Sequence, residues 1–261
     1  MSSPQLRLFA LPGLPEVHPG DDLGALIVAG LAAAAETLQT GDVVVIAQKI
    51  VSKAEGRLVT LDSVQPSTTA RELAAQADKD PRLVELILQE SSEVLRCRPG
   101  VIVVEHRLGF VMANAGIDQS NVQQAGAGTA LLLPLDPDAS CERIRAALRA
   151  STGTEVAVLV IDSHGRAWRQ GTVGVTIGAA GMPALLDLRG RPDRHGRTLR
   201  VTEVGQADEV AAAASLLMGQ ADEGTPVVVV RGVPQMAGIP WGAGSGKAQD
   251  LVRPREMDMF R

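Results

Sequence analysis

The sequence is poor in aromatic residues and in cysteines. Its 261 residues include three Phe, two Trp and no Tyr. Proteins that bind single-stranded nucleic acid stack the bases on aromatic side chains, so this composition argues against that class. Cys97 and Cys141 are far apart in the chain and predict neither a disulfide framework nor a metal knuckle. The net charge of −5 provides no general attraction to nucleic acid or to an acidic membrane surface.

Long apolar runs are also absent. No stretch reaches the roughly 18 apolar residues of a membrane-spanning helix, and the first residues lack the charged and apolar regions of a signal peptide. We therefore expect a cytoplasmic protein with no membrane partner and no nucleic-acid partner. An apolar content of 45% allows a full core. Residues 1–261 are expected to form a single unit, either one large domain or two intimately joined subdomains.

The first candidate for chemistry lies at residues 156–169. Six apolar residues, 156–161, predict a strand buried on both faces. The polar residues that follow are expected to leave the strand at its C-terminal end, where α/β proteins place functional groups. There Asp162 is a candidate catalytic residue and metal ligand, and Ser163 a second oxygen ligand. Arg166 is the second candidate catalytic residue, and Arg166 and Arg169 are both candidates for binding phosphate. A capped turn with solvated charges is the alternative interpretation.

Further candidates come from other segments. Residues 12–20 are rich in proline and glycine, and form either a connector or a stiff wall for a base or ribose. If their segment is helical, Lys49 and Lys53 share a face. That face either binds phosphate or is a solvated basic surface. Residues 114–121 are either a simple turn or a second acidic loop, in which Asp118 shares a divalent ion with Asp162. Glu203 is a third possible source of a carboxylate.

The remaining pattern predicts alternating strands and helices. Asp22 is expected to cap a helix that extends to about residue 38. Further helices are predicted over residues 66–78 and 81–95, the second with proline at its first position. Small residues between 171 and 188 predict close packing of backbones.

The chemistry of these segments indicates phosphate handled through hard metal ions. Separate carboxylates, lysines and arginines occur without a Cys–His or Ser–His catalytic arrangement. Residues 242–247, GAGSGK, suggest a P-loop, but Trp241 stands where its first glycine belongs and Ala248 where its Ser or Thr belongs. We therefore expect a mixed α/β (α+β) fold with mixed sheets and a nucleotide site of an uncommon kind.

Six ordered motifs make nearly the whole chain resemble the coenzyme F-420:L-glutamate ligase family, the gamma-glutamyl ligases. The resemblance implies an unusual non-Rossmann topology and an intertwined homodimer. The motifs that carry it are LPGLPEVHPGDDL, GDVVVIAQKIVSKAEGR, NAGIDQSN, LLPLDPDAS, VIDSHGRAWRQG and VTEVGQADEVAAAASLLMG.

The resemblance also implies an activity. GTP would phosphorylate the lactyl carboxylate of a lactyl-phospho-deazaflavin precursor, with divalent Mg or Mn and monovalent K as cofactors. The amine of L-glutamate would then attack the acyl phosphate, forming an amide and releasing phosphate, and further γ-linked glutamates could follow. The implied nucleotide-binding residues are Leu14, Pro15, Glu16, Val17, Gln48, Lys53 and Asn121. The implied metal ligands are Asp118, Asp162, Ser163 and Glu203.

The chain departs from the family pattern at two positions. Gln48 stands where many relatives have a small hydroxyl residue, and His164 where Met or Asn is common. No appended flavin-binding domain is expected, and so no fused reductase activity. Two other functions stay open at this point: a nucleotide- or deazaflavin-binding paralogue without ligase activity, and a metal-dependent phosphohydrolase in which water replaces the amine.

Overall fold

The computed structural model describes residues 3–120, 128–236, 238–239, 241–242 and 244–259. Within these residues twelve strands and six α-helices alternate in a mixed α/β arrangement with several sheets. In chain order they are β1 (Arg7–Ala10), α1 (Leu23–Ala33), β2 (Val43–Ala47), α2 (Gln48–Ala54), β3 (Leu58–Thr60), α3 (Thr68–Ala77), α4 (Pro81–Gln89), β4 (Ser91–Arg98), β5 (Val101–His106), β6 (Val111–Ala113), β7 (Thr129–Leu131), α5 (Pro137–Thr152), β8 (Ala157–Arg166), β9 (Arg169–Ala180), β10 (Leu186–Asp187), β11 (Glu203–Val204), α6 (Gln206–Met218) and β12 (Val227–Arg231).

A five-stranded sheet forms the centre, in the order β1-β12-β2-β8-β9. The pair β2 and β8 is parallel, and the other neighbours in this sheet are antiparallel. Strands β2 and β12 are almost entirely Val and Ile and are buried, because helices cover both faces of the sheet. Apolar residues of α1 and α5 pack on one face, and those of α6 pack on the other.

A second group of elements surrounds its own apolar cluster. Strands β4, β5 and β6 form an antiparallel sheet. Residues of α3 and α4 pack with Ile102 and Val104 of β5, and this cluster also includes Ala130 of β7 and the adjacent Leu132. Of the helices in the described part of the chain, none combines the length and the apolar character needed to cross a bilayer.

The small residues of β9 allow the close packing that the sequence predicts. A Cβ on Gly178 would lie 2.6 Å from the backbone of Pro137, at the start of α5. A Cβ on Gly174 would lie 2.7 Å from the carbonyl oxygen of Ala211 in α6. Real Cβ contacts are essentially never this short, so two helices approach β9 only because these positions lack side chains.

The C-terminal segment is tied to both groups of elements. The Asp138 carboxylate accepts hydrogen bonds from the backbone of Ala179 in β9 (2.8 Å) and of Ala248 in the C-terminal segment (2.9 Å). Further along, the Arg255 guanidinium pairs with Glu93 at 2.8 Å and with Glu105 at 3.3 Å, on the β4-β5 sheet. The segment therefore connects the central sheet with the second group.

Two predicted helices are shorter than expected. The helix capped by Asp22 ends at Ala33, and Ala35 then takes a left-handed conformation with φ of 53°. The helix that begins at Pro81 ends at Gln89, and the prediction that it continues to residue 95 is wrong. Residues Ser91–Arg98 instead form β4, because they pair with β5 across a turn at Gly100, where φ is 85°.

Candidate active site

A cavity of about 450 Å³ lies where the parallel strands β2 and β8 stop pairing. Ligands of open α/β sheets commonly bind outside the carboxyl ends of parallel strands. Four segments line this site cavity: the loop before α1, the β2–α2 junction, the middle of β8, and the end of α6 with the loop that follows it. The lining residues are Leu14, Pro15, Glu16, Val17, Ala47, Gln48, Lys49, Ile50, Lys53, Ile161, Asp162, Ser163, Ser215, Met218, Gly219, Gln220, Ala221, Asp222, Glu223, Gly224, Thr225 and Pro226.

Strand β8 does not end at residue 161, and that prediction is wrong. Ile161 pairs with Ala47, the last residue of β2, and Asp162 is the first residue beyond the parallel register. The strand continues to Arg166 because β9 pairs with it, ending in the contact between Arg166 and Arg169. Asp162 therefore lies within β8 and not at its end, although it directly follows the parallel register with β2.

Helix α2 follows β2 without an intervening residue and presents its polar side chains to the site cavity. The Ser52 hydroxyl donates to Gln48 Oε1 at 2.9 Å, and Gln48 Nε2 donates to Asp118 Oδ2 at 2.7 Å. Lys49 Nζ lies 3.6 Å from Asp118 Oδ1 and 3.3 Å from the hydroxyl of Ser120. Gln48 is therefore fixed in orientation and holds the acidic loop against α2.

Asp118 sits in surroundings that oppose its charge. Burial raises the pKa of this carboxyl to about 6; the Lys49 ammonium works against the shift and the Asp162 carboxylate adds to it. The two carboxylates, which the sequence places in separate segments, therefore influence each other directly. A cation between them would relieve both the repulsion and the burial of a charge.

The oxygen donors at this point fit a hard divalent cation. Mg²⁺ is usually held by one or two carboxylates, waters and substrate phosphates. Asp162 and Ser163 on the cavity wall, with Asp118 coupled to Asp162, are donors of this kind. In the described residues no group of three or more His, Cys, Asp or Glu side chains has metal-binding spacing. His164 Nε2 lies 3.1 Å from Asp162 Oδ2, so the structure places this side chain, whose role the sequence left open, against the carboxylate.

The predicted nucleotide-binding residues are brought together in part. Residues 14–17 and α2 form adjacent walls, and the Lys53 ammonium pairs with the Glu16 carboxylate between them. The side chain of Lys53 is 16% exposed, whereas that of Glu16 is 56% exposed. Asn121, predicted to contact the nucleotide, lies outside the described residues.

Four predicted site residues do not line the site cavity: Asp118, Arg166, Arg169 and Glu203. Arg166 lies four residues beyond Asp162 along β8. Glu203 lies on β11, where its carboxylate is 3.3 Å from Arg189 Nη2. Their assignments to substrate and to metal stay predictions.

Sequence reasoning missed the wall formed by residues 218–226. The segment begins at the end of α6 and reaches β2, since Ala47 N–H donates to the carbonyl of Pro226 at 2.8 Å. One signal was present in the sequence: polar residues Gln220, Asp222 and Glu223 fill the short connection between a helix and a buried strand. Such connections often carry functional groups on a rigid scaffold.

The fold and this cavity define a mixed α/β protein with a polar cleft at the end of a parallel strand pair. Residues 13–232 match the family described as F420-0:Gamma-glutamyl ligase. The chain is 48% identical to the Coenzyme F420:L-glutamate ligase of Methanothermobacter thermautotrophicus, over 98% of this chain and 99% of that protein. Proteins of the same name from Methanopyrus kandleri and Archaeoglobus fulgidus are 46% and 41% identical, over 99% and 98% of this chain and 98% and 97% of theirs. The chain therefore belongs to the F420-0:gamma-glutamyl ligase family.

Proposed function

We propose that the protein is a GTP-dependent ligase that joins L-glutamate to the lactyl carboxylate of the lactyl-phospho-deazaflavin precursor. Membership of a family whose members are named for glutamate ligation supports the overall reaction. The observation that carries the proposal is the meeting of Asp162, Lys49 and Lys53 around one cavity, with Asp118 held beside it by its contact with Lys49. Phosphoryl transfer depends chiefly on alignment and on neutralising negative charge, and this set offers both.

The reaction divides into two steps. In the first, an oxygen of the lactyl carboxylate bonds to the γ-phosphorus of GTP, the bond to the β-phosphate oxygen breaks, and GDP leaves. In the second, the glutamate nitrogen bonds to the acyl carbon, the carbon–oxygen bond to phosphate breaks, and the amine loses a proton. The products are an amide, GDP and inorganic phosphate.

The predicted site residues, most of them on or beside the site cavity, have the following roles in this scheme. Residues Leu14–Val17 and Gln48 hold the nucleoside part, with Asn121 contributing from the acidic loop. Lys53 places a point charge beside the phosphates. Asp118, Asp162 and Ser163 hold Mg or Mn, with Glu203 as a further ligand, and K is a second cation. The divalent ion supplies charge neutralisation for the phosphoryl oxygens when bound. Arg166 and Arg169 bind the anionic precursor.

We also propose that the protein acts in the cytoplasm as a homodimer of non-Rossmann topology, as the family resemblance implies. Its mixed sheets, with one parallel pair at the site, are compatible with that topology.

The proposal is tested with purified protein, GTP, Mn²⁺ or Mg²⁺, L-glutamate and the precursor, following product mass together with GDP. We expect a mass gain of one glutamyl unit tied to GDP release. Asp162→Ala abolishes both, and the matched control Asp62→Ala, which removes an exposed carboxylate paired with Arg82, retains both. GTP hydrolysis without glutamate dependence would instead establish a phosphohydrolase. Metal-dependent GTP binding without turnover would establish a binding protein.

A further inference from the structure

The hairpin of β8 and β9 carries an exposed tryptophan beyond the site cavity. The strands are joined by Ala167 and Trp168. Arg166 and Arg169 flank this turn as opposite residues in the β8–β9 strand register. The side chain of Trp168 is 88% exposed, in a chain that has only two Trp, three Phe and no Tyr. A large exposed aromatic in so aromatic-poor a sequence marks a surface for a flat or apolar partner.

The backbone at this position does not favour tryptophan. Trp168 has a φ of 62°, in the left-handed region. Glycine or asparagine is preferred there, and a bulky residue with positive φ is an outlier. Backbone outliers of this kind concentrate at functional sites, where the surrounding structure holds them in place. The turn geometry therefore does not select for an indole at this position, and the 88% exposure of the side chain leaves its surface accessible to a ligand.

The order of groups along the hairpin matches the order of groups along the precursor of the proposed reaction. Asp162 lies at the site cavity. Arg166, which is opposite Arg169 in the hairpin, lies four residues further along β8, about 13 Å for an extended strand, and Trp168 lies in the turn beyond it. The precursor carries its reacting carboxylate at one end, an anionic phosphodiester next, and a planar deazaflavin ring at the other end. Cationic guanidinium groups suit the phosphodiester, and an indole suits the ring.

We propose that Trp168 stacks on the planar ring of the deazaflavin precursor, with Arg169 beside it on the phosphodiester. The inference rests on the proposed function and extends it by placing ring recognition on the hairpin tip, outside the site cavity. Trp168 is a positioning residue, since it holds the end of the substrate that does not react. The acceptor is selected by its ring, and GTP binding is independent of the tip.

The test uses Trp168→Gly, because glycine suits the positive φ and removes only the indole. We expect the KM for the precursor to rise about 10- to 100-fold, since stacking of a planar ring on an aromatic side chain has about this effect on affinity. The kcat, the KM for GTP and the oligomeric state stay as in the wild type, and the melting temperature is unchanged or higher. Trp168→Phe restores most of the lost affinity.

Two controls separate ring recognition from other effects. Val201→Gly removes an apolar side chain that is 85% exposed, and leaves the KM for the precursor unchanged. Lactyl phosphate, an acceptor without the ring, is used equally well by the wild type and by Trp168→Gly. An unchanged KM for the precursor in Trp168→Gly would overturn the proposal. A lower melting temperature together with dissociation of an oligomer would also overturn it, and would assign the tip to contact with a second copy.

Binding of the precursor, measured by its fluorescence without GTP, distinguishes failure of this inference from failure of the proposed function. A wild type that binds the ring through Trp168 but forms no glutamyl product upholds the inference and refutes the ligase. A wild type that forms product, with the same precursor affinity in Trp168→Gly, refutes the inference alone.

Discussion

Replacing Asp118 with asparagine should make the metal-free protein more stable while removing its activity. Burial and the Asp162 carboxylate raise the pKa of Asp118 from 3.8 to about 6, against the opposing charge of Lys49. Because the folded-state pKa lies above the unfolded one, the stability of the wild type falls as the pH rises from about 4 to about 6. An asparagine at this position keeps an acceptor for Gln48 and carries no charge. The stability of the variant therefore does not fall over this pH range.

The size of the gain follows from the shift in pKa. The change from 3.8 to about 6 corresponds to at most about 3 kcal/mol above pH 6. The side chain is 25% exposed, and solvent screening together with the lost contact to Lys49 reduces this to about 1–2 kcal/mol.

Urea unfolding followed by circular dichroism at pH 4 and pH 7.5, with chelator present, measures this gain. We expect the two proteins to differ at pH 7.5 and to converge at pH 4. Added Mn²⁺ should stabilise the wild type more than the Asp118→Asn variant, and the variant should lose GTP turnover. A variant that is less stable than the wild type at pH 7.5 would refute the reasoning. A gain that persists at pH 4 would show that its origin is not the carboxylate charge.

Three further changes test other parts of the structure. Lys53→Met should raise the KM for GTP at least about tenfold, measured by GDP release, because it removes a half-buried charge from the proposed phosphate wall. Glu90→Gln should cost about 3 kcal/mol of unfolding free energy at pH 7, because a histidine, Arg57 and Arg107 outweigh burial and lower the pKa of Glu90 to about 2. That cost should shrink as the pH falls from about 4.5 towards 2, since the wild type then loses the carboxylate's contribution. Gly178→Ala should cost about 1–3 kcal/mol in the same unfolding assay, because its Cβ meets the start of α5.

Each of these changes has a matched control. Lys79→Met removes a lysine that does not line the site cavity and should leave the KM for GTP unchanged. Gly165→Ala places a methyl group where no atom lies within 4 Å, so its stability should match that of the wild type. For Glu90→Gln the control is the pH dependence of the difference in unfolding free energy between variant and wild type. A stability difference that stays constant between pH 7 and pH 3 would contradict the assignment to the carboxylate.

The elements that could be predicted are those with local signals. The buried runs at β2, β8 and β12 are continuous and apolar, and the caps at Asp22 and Ser67 lie where hydrogen bonds to the following turn form. Strand β4 could not be predicted in this way. Its alternation becomes clear only through pairing with β5, and in sequence the apolar residues of SSEVLRCR also suit the end of a helix.

In the candidate site, too, some residues could be predicted from local sequence signals and others could not. The sequence alone could single out Asp162, Lys53 and Gln48 as candidates, because each of them follows a buried apolar run. The contact of Gln48 with Asp118 joins residues 70 positions apart, and no local pattern specifies it. The wall at residues 218–226 depends in the same way on the return of β12 beside β2. The exposure of Trp168 required the hairpin, whose continuation past residue 161 depends on β9.

The direct junction of β2 with α2 has a consequence for how the protein can vary. Strand and helix meet between Ala47 and Gln48 with no loop residue to absorb a change in length. One inserted residue would turn α2 by about 100° relative to the strand, and would carry Gln48, Lys49 and Lys53 away from the site cavity together. Substitution can adjust these three side chains one at a time, whereas an insertion or deletion alters all of them at once. The spacing at this junction is thus constrained as tightly as the residues it positions.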